Sequence, residues 1–193
     1  MKFKKFLAAS MAATMMMASA MTVCAADAYP TLKHANENVL VAGDENMTTV
    51  AGDYSADCVR GTAVLTPYED VMTTLGLTAG QRPTVVFYDA EEESSPEAFT
   101  CLDASVQELG ATTVASLYIE LGAKEDGKWI GVSEGTVTVK AGLPKTADKT
   151  KTYSIVRVEA DGVVTVLDDL DNSDKTVTFE VTSGVGTYGI VAR

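Results

Sequence analysis

Asp169, Asp171 and Asp174 belong to an acidic turn, Asp169-Leu170-Asp171-Asn172-Ser173-Asp174, with Glu180 further along the chain. Counted from Asp169, oxygen-bearing side chains stand at the first, third and fifth positions and a carboxylate at the twelfth, the oxygen spacing of a calcium loop. Asp174 occupies the sixth position, where the sharp turn of a helix–loop–helix site needs glycine, and the flanks read as strands. Calcium is therefore the one cofactor these residues suggest, held at Asp169, Asp171 and Asp174 in a loose oxygen cage. The competing reading is an acidic turn between two strands, a place that favours Asp and Asn for their local hydrogen bonding.

A second candidate is aromatic. Trp129 is the only tryptophan and follows a turn signal at Asp126-Gly127. Tyr118 alternates with Leu117 and Ile119, on the same side of its strand as Glu120. Flat exposed rings stack on sugars, so a sheet presenting Trp129 and Tyr118 on its wet face would bind carbohydrate. The alternative is that these rings cover a core or an edge.

Other chemistry finds less to stand on. His34 is the only histidine and lies in a polar stretch, so no Ser-His-Asp or Cys-His arrangement can be placed from it. The acids offer no pair that stands out for glycoside chemistry. No catalytic residue is assigned and an enzyme is not expected; a secreted hydrolase is the residual alternative. Leu143-Pro144-Lys145-Thr146-Ala147 has the form of a sortase signal, but strand-like sequence follows it where an apolar tail is needed, so it reads as a loop.

The start of the chain sets the compartment. Lys2, Lys4 and Lys5 precede an uncharged apolar run from Phe6 to Val23, which closes on Cys24-Ala25-Ala26. This is the layout of a secretory leader spanning residues 1–26. An uncleaved anchor is the alternative on length; Val23 before Cys24 suits a lipoprotein signal poorly. Removing 26 of the 193 residues leaves 167, enough for one domain. It also takes three of the 15 Lys and Arg and none of the 27 Asp and Glu, leaving 12 basic against 27 acidic residues. Phosphate backbones and anionic membranes repel such a surface, so neither nucleic acid nor, after leader removal, a membrane is an expected partner. The expected partners are an extracellular protein or a glycan; the oligomeric state is not readable. Cys58 and Cys101 remain, a pair that can form a disulfide in an exported protein or stay as two thiols. Two Cys and a distant His do not make a zinc site.

The elements that would position these residues are mainly strands. Residues 27–60 read as a polar arm, with Val39–Ala42 as one short apolar run. Thr66-Pro67-Tyr68-Glu69 predicts a helix near 67–75, with Thr66 as cap, Glu69 completing a capping box and Gly76 as stop. Pro83–Tyr88 reads as a buried strand. Ser94-Ser95-Pro96-Glu97 opens a second helix near 96–109, with Phe99, Leu102, Val106 and Leu109 as its apolar stripe, Cys101 off the stripe's centre and Gly110 as stop. From Thr112 onward the period is two, in Leu117–Leu121, Thr136–Ala141, Thr176–Val181 and Tyr188–Ile190, each with one buried and one wet face. Asp161-Gly162 between Tyr153–Glu159 and Val163–Leu167 predicts a two-residue hairpin. Residues 61–193 thus form an antiparallel β-sandwich domain with two short helices, the second covering one edge or end.

The tail carries a resemblance. Thr176–Phe179 (TVTF) and Thr187–Val191 (TYGIV), separated by a short loop, resemble the closing strands of immunoglobulin-like sandwich modules in exported proteins of Gram-positive gut bacteria. The likeness covers about the last third of the chain. It implies an immunoglobulin-like sandwich and a non-catalytic module, secreted or held at the cell surface, and it supplies no site residues.

Overall fold

The computed structural model describes residues 54–58, 61–132 and 134–193. The leader, His34 and the Val39–Ala42 run lie outside the described residues. The strands are β1 (Tyr54–Asp57), β2 (Thr62–Val64), β3 (Gln81–Asp89), β4 (Thr112–Glu125), β5 (Lys128–Ile130), β6 (Thr136–Gly142), β7 (Tyr153–Glu159), β8 (Val164–Asp168), β9 (Thr176–Thr182) and β10 (Gly184–Ala192). The helices are α1 (Tyr68–Thr74) and α2 (Pro96–Glu108).

The chain is mainly β, in two sheets. The larger runs β1-β3-β4-β10-β7-β8, with β5 pairing beside β10 on β4; the smaller runs β2-β6-β9. Period-two patterning builds the core between them. Leu117, Ile119 and Leu121 of β4, with Ile155, Tyr188 and Ile190, meet Val137, Val139, Val177, Phe179 and Val181 of the smaller sheet in one buried cluster. Phe179 and Tyr188 bring their rings to 5.6 Å across the two sheets. Buried apolar surface contributes about 25 cal/mol per Å2, so this cluster is the main stabilising feature of the domain.

Most expected pairings are present. Asp161 and Gly162 join β7 and β8 as an antiparallel hairpin, but the loop has three residues, Ala160, Asp161 and Gly162, rather than the expected two: the Glu159 amide donates to the Val163 carbonyl and the Gly162 amide to the Glu159 carbonyl, with Gly162 alone at positive φ (+83°). Asp126 and Gly127, both at positive φ, turn β4 into β5, as a primed two-residue turn requires. One pairing is not antiparallel: β1 runs parallel to β3, from Tyr54 beside Val85 to Asp57 beside Tyr88. Since β1 falls within the segment read as a polar arm, the sheet begins no later than Tyr54.

Helix α2 lies on the outer face of the large sheet, rather than at an edge or end. Ala98, Cys101, Leu102 and Val106 pack on Val156, Val158 and Val191. Its buried stripe is rotated from the expected one: Cys101 is buried, whereas Phe99 and Leu109 are only partly so. Gly189 makes the docking close, because a Cβ there would stand 2.9 Å from Leu102 Cδ2. At α1, Thr66 is not the cap. Pro67 holds that position without a side-chain hydrogen bond, and Thr66 Oγ1 instead accepts the Thr138 amide at 2.8 Å, tying the helix entrance to β6.

The Cys58–Cys101 disulfide is not formed. Cys58 is in no disulfide and packs in the core between the sheets. Cys101 packs under α2 on the opposite face of the large sheet, so the sheet separates the two sulfurs.

Candidate functional site

The outer face of β4 carries Tyr118, Glu120, Gly122 and Lys124 at alternate positions, and β5 places Trp129 directly across from Lys124. Gly122 is the seat of the indole. A Cβ at that position would meet Trp129 Cζ3 at 2.8 Å and Cε3 at 3.2 Å, so only glycine lets the ring approach the strand so closely. Lys124 Nζ stands 5.1 Å from the ring centroid, within cation–π range. Held on two sides, Trp129 still has 41% of its surface exposed.

Tyr118 is not a second exposed ring. It is 3% exposed and forms a small cluster with Val86 and Tyr88 on this same outer face; the Tyr88 and Tyr118 rings lie 6.4 Å apart. The expected wet platform of Trp129 and Tyr118 is thus reduced to Trp129, because at this end both faces of β3 and β4 are covered. Burial has electrostatic consequences here. It pushes the Glu120 carboxyl above its usual range, against the lowering charge of Lys124. Tyr88 is raised to about 12, first by burial and then by the charges of Asp57 and Glu120. Among the described residues, the buried Tyr88 hydroxyl and Thr84 Oγ1 have no hydrogen-bond partner.

The acidic turn lies at the edge of the sandwich, where the chain crosses from β8 to β9. With the 149–153 segment and Arg193 it lines an open groove of about 600 Å3. The three carboxylates do not converge on a cation. Asp169 Oδ1 accepts the amides of Asp171 (3.1 Å) and Thr178 (2.9 Å). Asp171 accepts the Ser173 amide at 2.7 Å and the Thr178 hydroxyl at 2.6 Å, and pairs with Lys140 at 3.1 Å. Asp174 pairs with Lys149 at 2.8 Å. Among the described residues no group of three or more His, Cys, Asp or Glu could hold a metal ion. The calcium cage at Asp169, Asp171 and Asp174 is therefore replaced by an Asx-type turn in which Asp171 and Asp174 pair with lysines and Asp169 accepts two backbone amides.

The two aspartates titrate in opposite directions. Burial holds Asp169 above the usual carboxylate range despite its two amides. Burial acts the same way on Asp171, but the Thr178 hydroxyl, the Ser173 amide and Lys140 outweigh it and bring that carboxyl down to about 2.

Comparison with known proteins returns no family model, no curated protein and no solved structure that matches this chain. Among the described residues no helix is long and apolar enough to cross a membrane.

Proposed function

We propose that this chain is a secreted or surface-associated binding and scaffolding module without catalytic activity, immunoglobulin-like in kind, and that Trp129 is its ligand contact. The supporting observation is the seating of Trp129: a single indole, well exposed, fixed on Gly122 and flanked by Lys124. An aromatic ring immobilised before binding loses little conformational entropy on contact, which is what a binding surface gains from preorganisation. A glycan fits this arrangement: a sugar face stacks on the ring while Lys124 donates to a hydroxyl. The leader-like N-terminus and the acidic surface support action outside the cytoplasm. An extracellular protein is the other class of partner. A hydrolase has weaker support, since Asp171 and Asp174 are both engaged with lysines.

The test is retention of the exported chain on insoluble polysaccharides, mucin and peptidoglycan. Retention on one glycan that is lost in Trp129→Ala supports the reading. Equal retention of the wild type and the variant would remove Trp129 from it.

A further inference from the structure

We propose that the free edge of β8 is a docking surface for a second copy of this chain, paired antiparallel about a two-fold axis. The inference rests on the scaffolding half of the proposed function. Strand β8 ends the large sheet and, among the described strands, pairs with β7 alone. None of its five residues is buried. Val166 is 45% exposed, and Leu170, just past the strand, is 57% exposed.

Edge strands offer unpaired amides and carbonyls, and proteins ordinarily blunt them with lysine, proline or a bulge. The sequence Val164-Thr165-Val166-Leu167-Asp168 contains neither lysine nor proline, and its register with β7 is unbroken from Asp168 to Val164. The neighbouring edge is treated differently. On β9, the Thr178 carbonyl is taken by the Leu170 amide at 2.7 Å and the Thr178 amide by Asp169 at 2.9 Å. The acidic turn thus covers one edge, and among the described residues the other stays open.

A second copy is the fitting occupant because an isologous interface must be self-complementary, and β8 is. Antiparallel pairing centred on Val166 sets Val166 opposite Val166, Thr165 opposite Leu167 and Val164 opposite Asp168. No like charges face one another directly, the condition for a favourable cross-strand pair. So short a strand pair buries well under the roughly 1,200 Å2 of a stable interface. The dimer is accordingly weak and suited to high local concentration. The excess of acidic residues, 27 against 12 basic once the leader is removed, opposes association, so screening by salt strengthens it.

Sedimentation equilibrium of the exported chain, from about 10 μM to about 1 mM, tests this. The expected result is an average mass that rises with concentration, and rises more at about 0.5 M than at about 0.05 M NaCl. Val166→Lys abolishes the rise, whereas Leu65→Lys, an exposed apolar position beside the smaller sheet, leaves it. Hydrogen exchange on the wild type slows at Thr165–Leu167 as concentration increases, a readout that needs no variant. A constant monomer mass in both salts, or association unchanged in Val166→Lys, would overturn the proposal. Trp129→Ala is expected to associate like the wild type, so loss of glycan retention and loss of association are separable.

Discussion

Substituting Gly122 by alanine separates the seat of Trp129 from the stability of the sheet. The added Cβ would stand 2.8 Å from Trp129 Cζ3 and 3.2 Å from Cε3, so the indole must move outward. A large aromatic side chain buries about 150–250 Å2 when fully covered. With 41% of its surface exposed, Trp129 keeps about 60% of that covered, roughly 3 kcal/mol of burial at about 25 cal/mol per Å2. A ring tilted off its strand keeps most of this contact and loses about 1 kcal/mol. Against that loss, replacing glycine in a strand recovers about 0.5–1 kcal/mol of backbone entropy. The two nearly cancel, so the denaturation midpoint is expected to move little. Fluorescence is the decisive assay, because the chain has one tryptophan and its emission reports on this ring alone. Gly122→Ala should shift emission to the red, raise acrylamide quenching and weaken retention on any glycan that Trp129 holds. Emission and quenching identical to wild type would refute the packing argument. A stability loss above about 2 kcal/mol would show that the strand, not the ring, had yielded.

Three further outcomes follow from the same geometry. Asp171 has a folded pKa of about 2, below its unfolded value of about 3.9; it therefore contributes stability above the unfolded pKa that is lost as pH falls through the folded one. Asp171→Asn should cost about 2 kcal/mol at pH 7, with the difference from wild type closing between about pH 4 and pH 2 in urea denaturation; a pH-independent difference would contradict this. Gly189→Ala should destabilise by about 1–3 kcal/mol through overpacking on Leu102 and Leu102→Ala by about 2–5 kcal/mol, but the double variant should cost less than their sum, since truncating the leucine leaves room for the new Cβ; strict additivity in thermal denaturation would argue against α2 lying on Gly189. Cys58, buried and in no disulfide, should alkylate only after unfolding, and a Cys58–Cys101 linked peptide in a non-reducing digest would contradict the separation of the two sulfurs by the sheet.

What could be read from sequence was local. Asp161-Gly162 and Asp126-Gly127 announce their hairpins because few residues other than glycine accept the positive φ that these turns demand. The alternation in Thr136–Ala141 and Thr176–Val181 gives two strands and their inner faces, since one side of each is core. What failed depends on distant partners. Tyr118 alternates like a residue on a wet face, yet its neighbours on β3 and β4 lie under cover. Thr66 has the sequence of a helix cap, but the Thr138 amide, 72 residues away, takes its oxygen. The oxygen spacing from Asp169 to Asp174 is real but makes no cage, because Lys140 reaches Asp171 through the register that sets Lys140 beside Thr178. Gly122 beneath Trp129 leaves a faint trace, a glycine inside a strand pattern, where close backbone approach is a recognised reading.

The central claim is that Trp129 is a preorganised ligand contact. Its most direct test is titration of the exported chain with soluble fragments of the glycan that retains it, followed through the emission of the single tryptophan. The account predicts a saturable change in Trp129 emission and loss of binding in both Trp129→Ala and Gly122→Ala, with the fold preserved by circular dichroism. Binding that saturates with no change in Trp129 emission, and survives both substitutions, would contradict it.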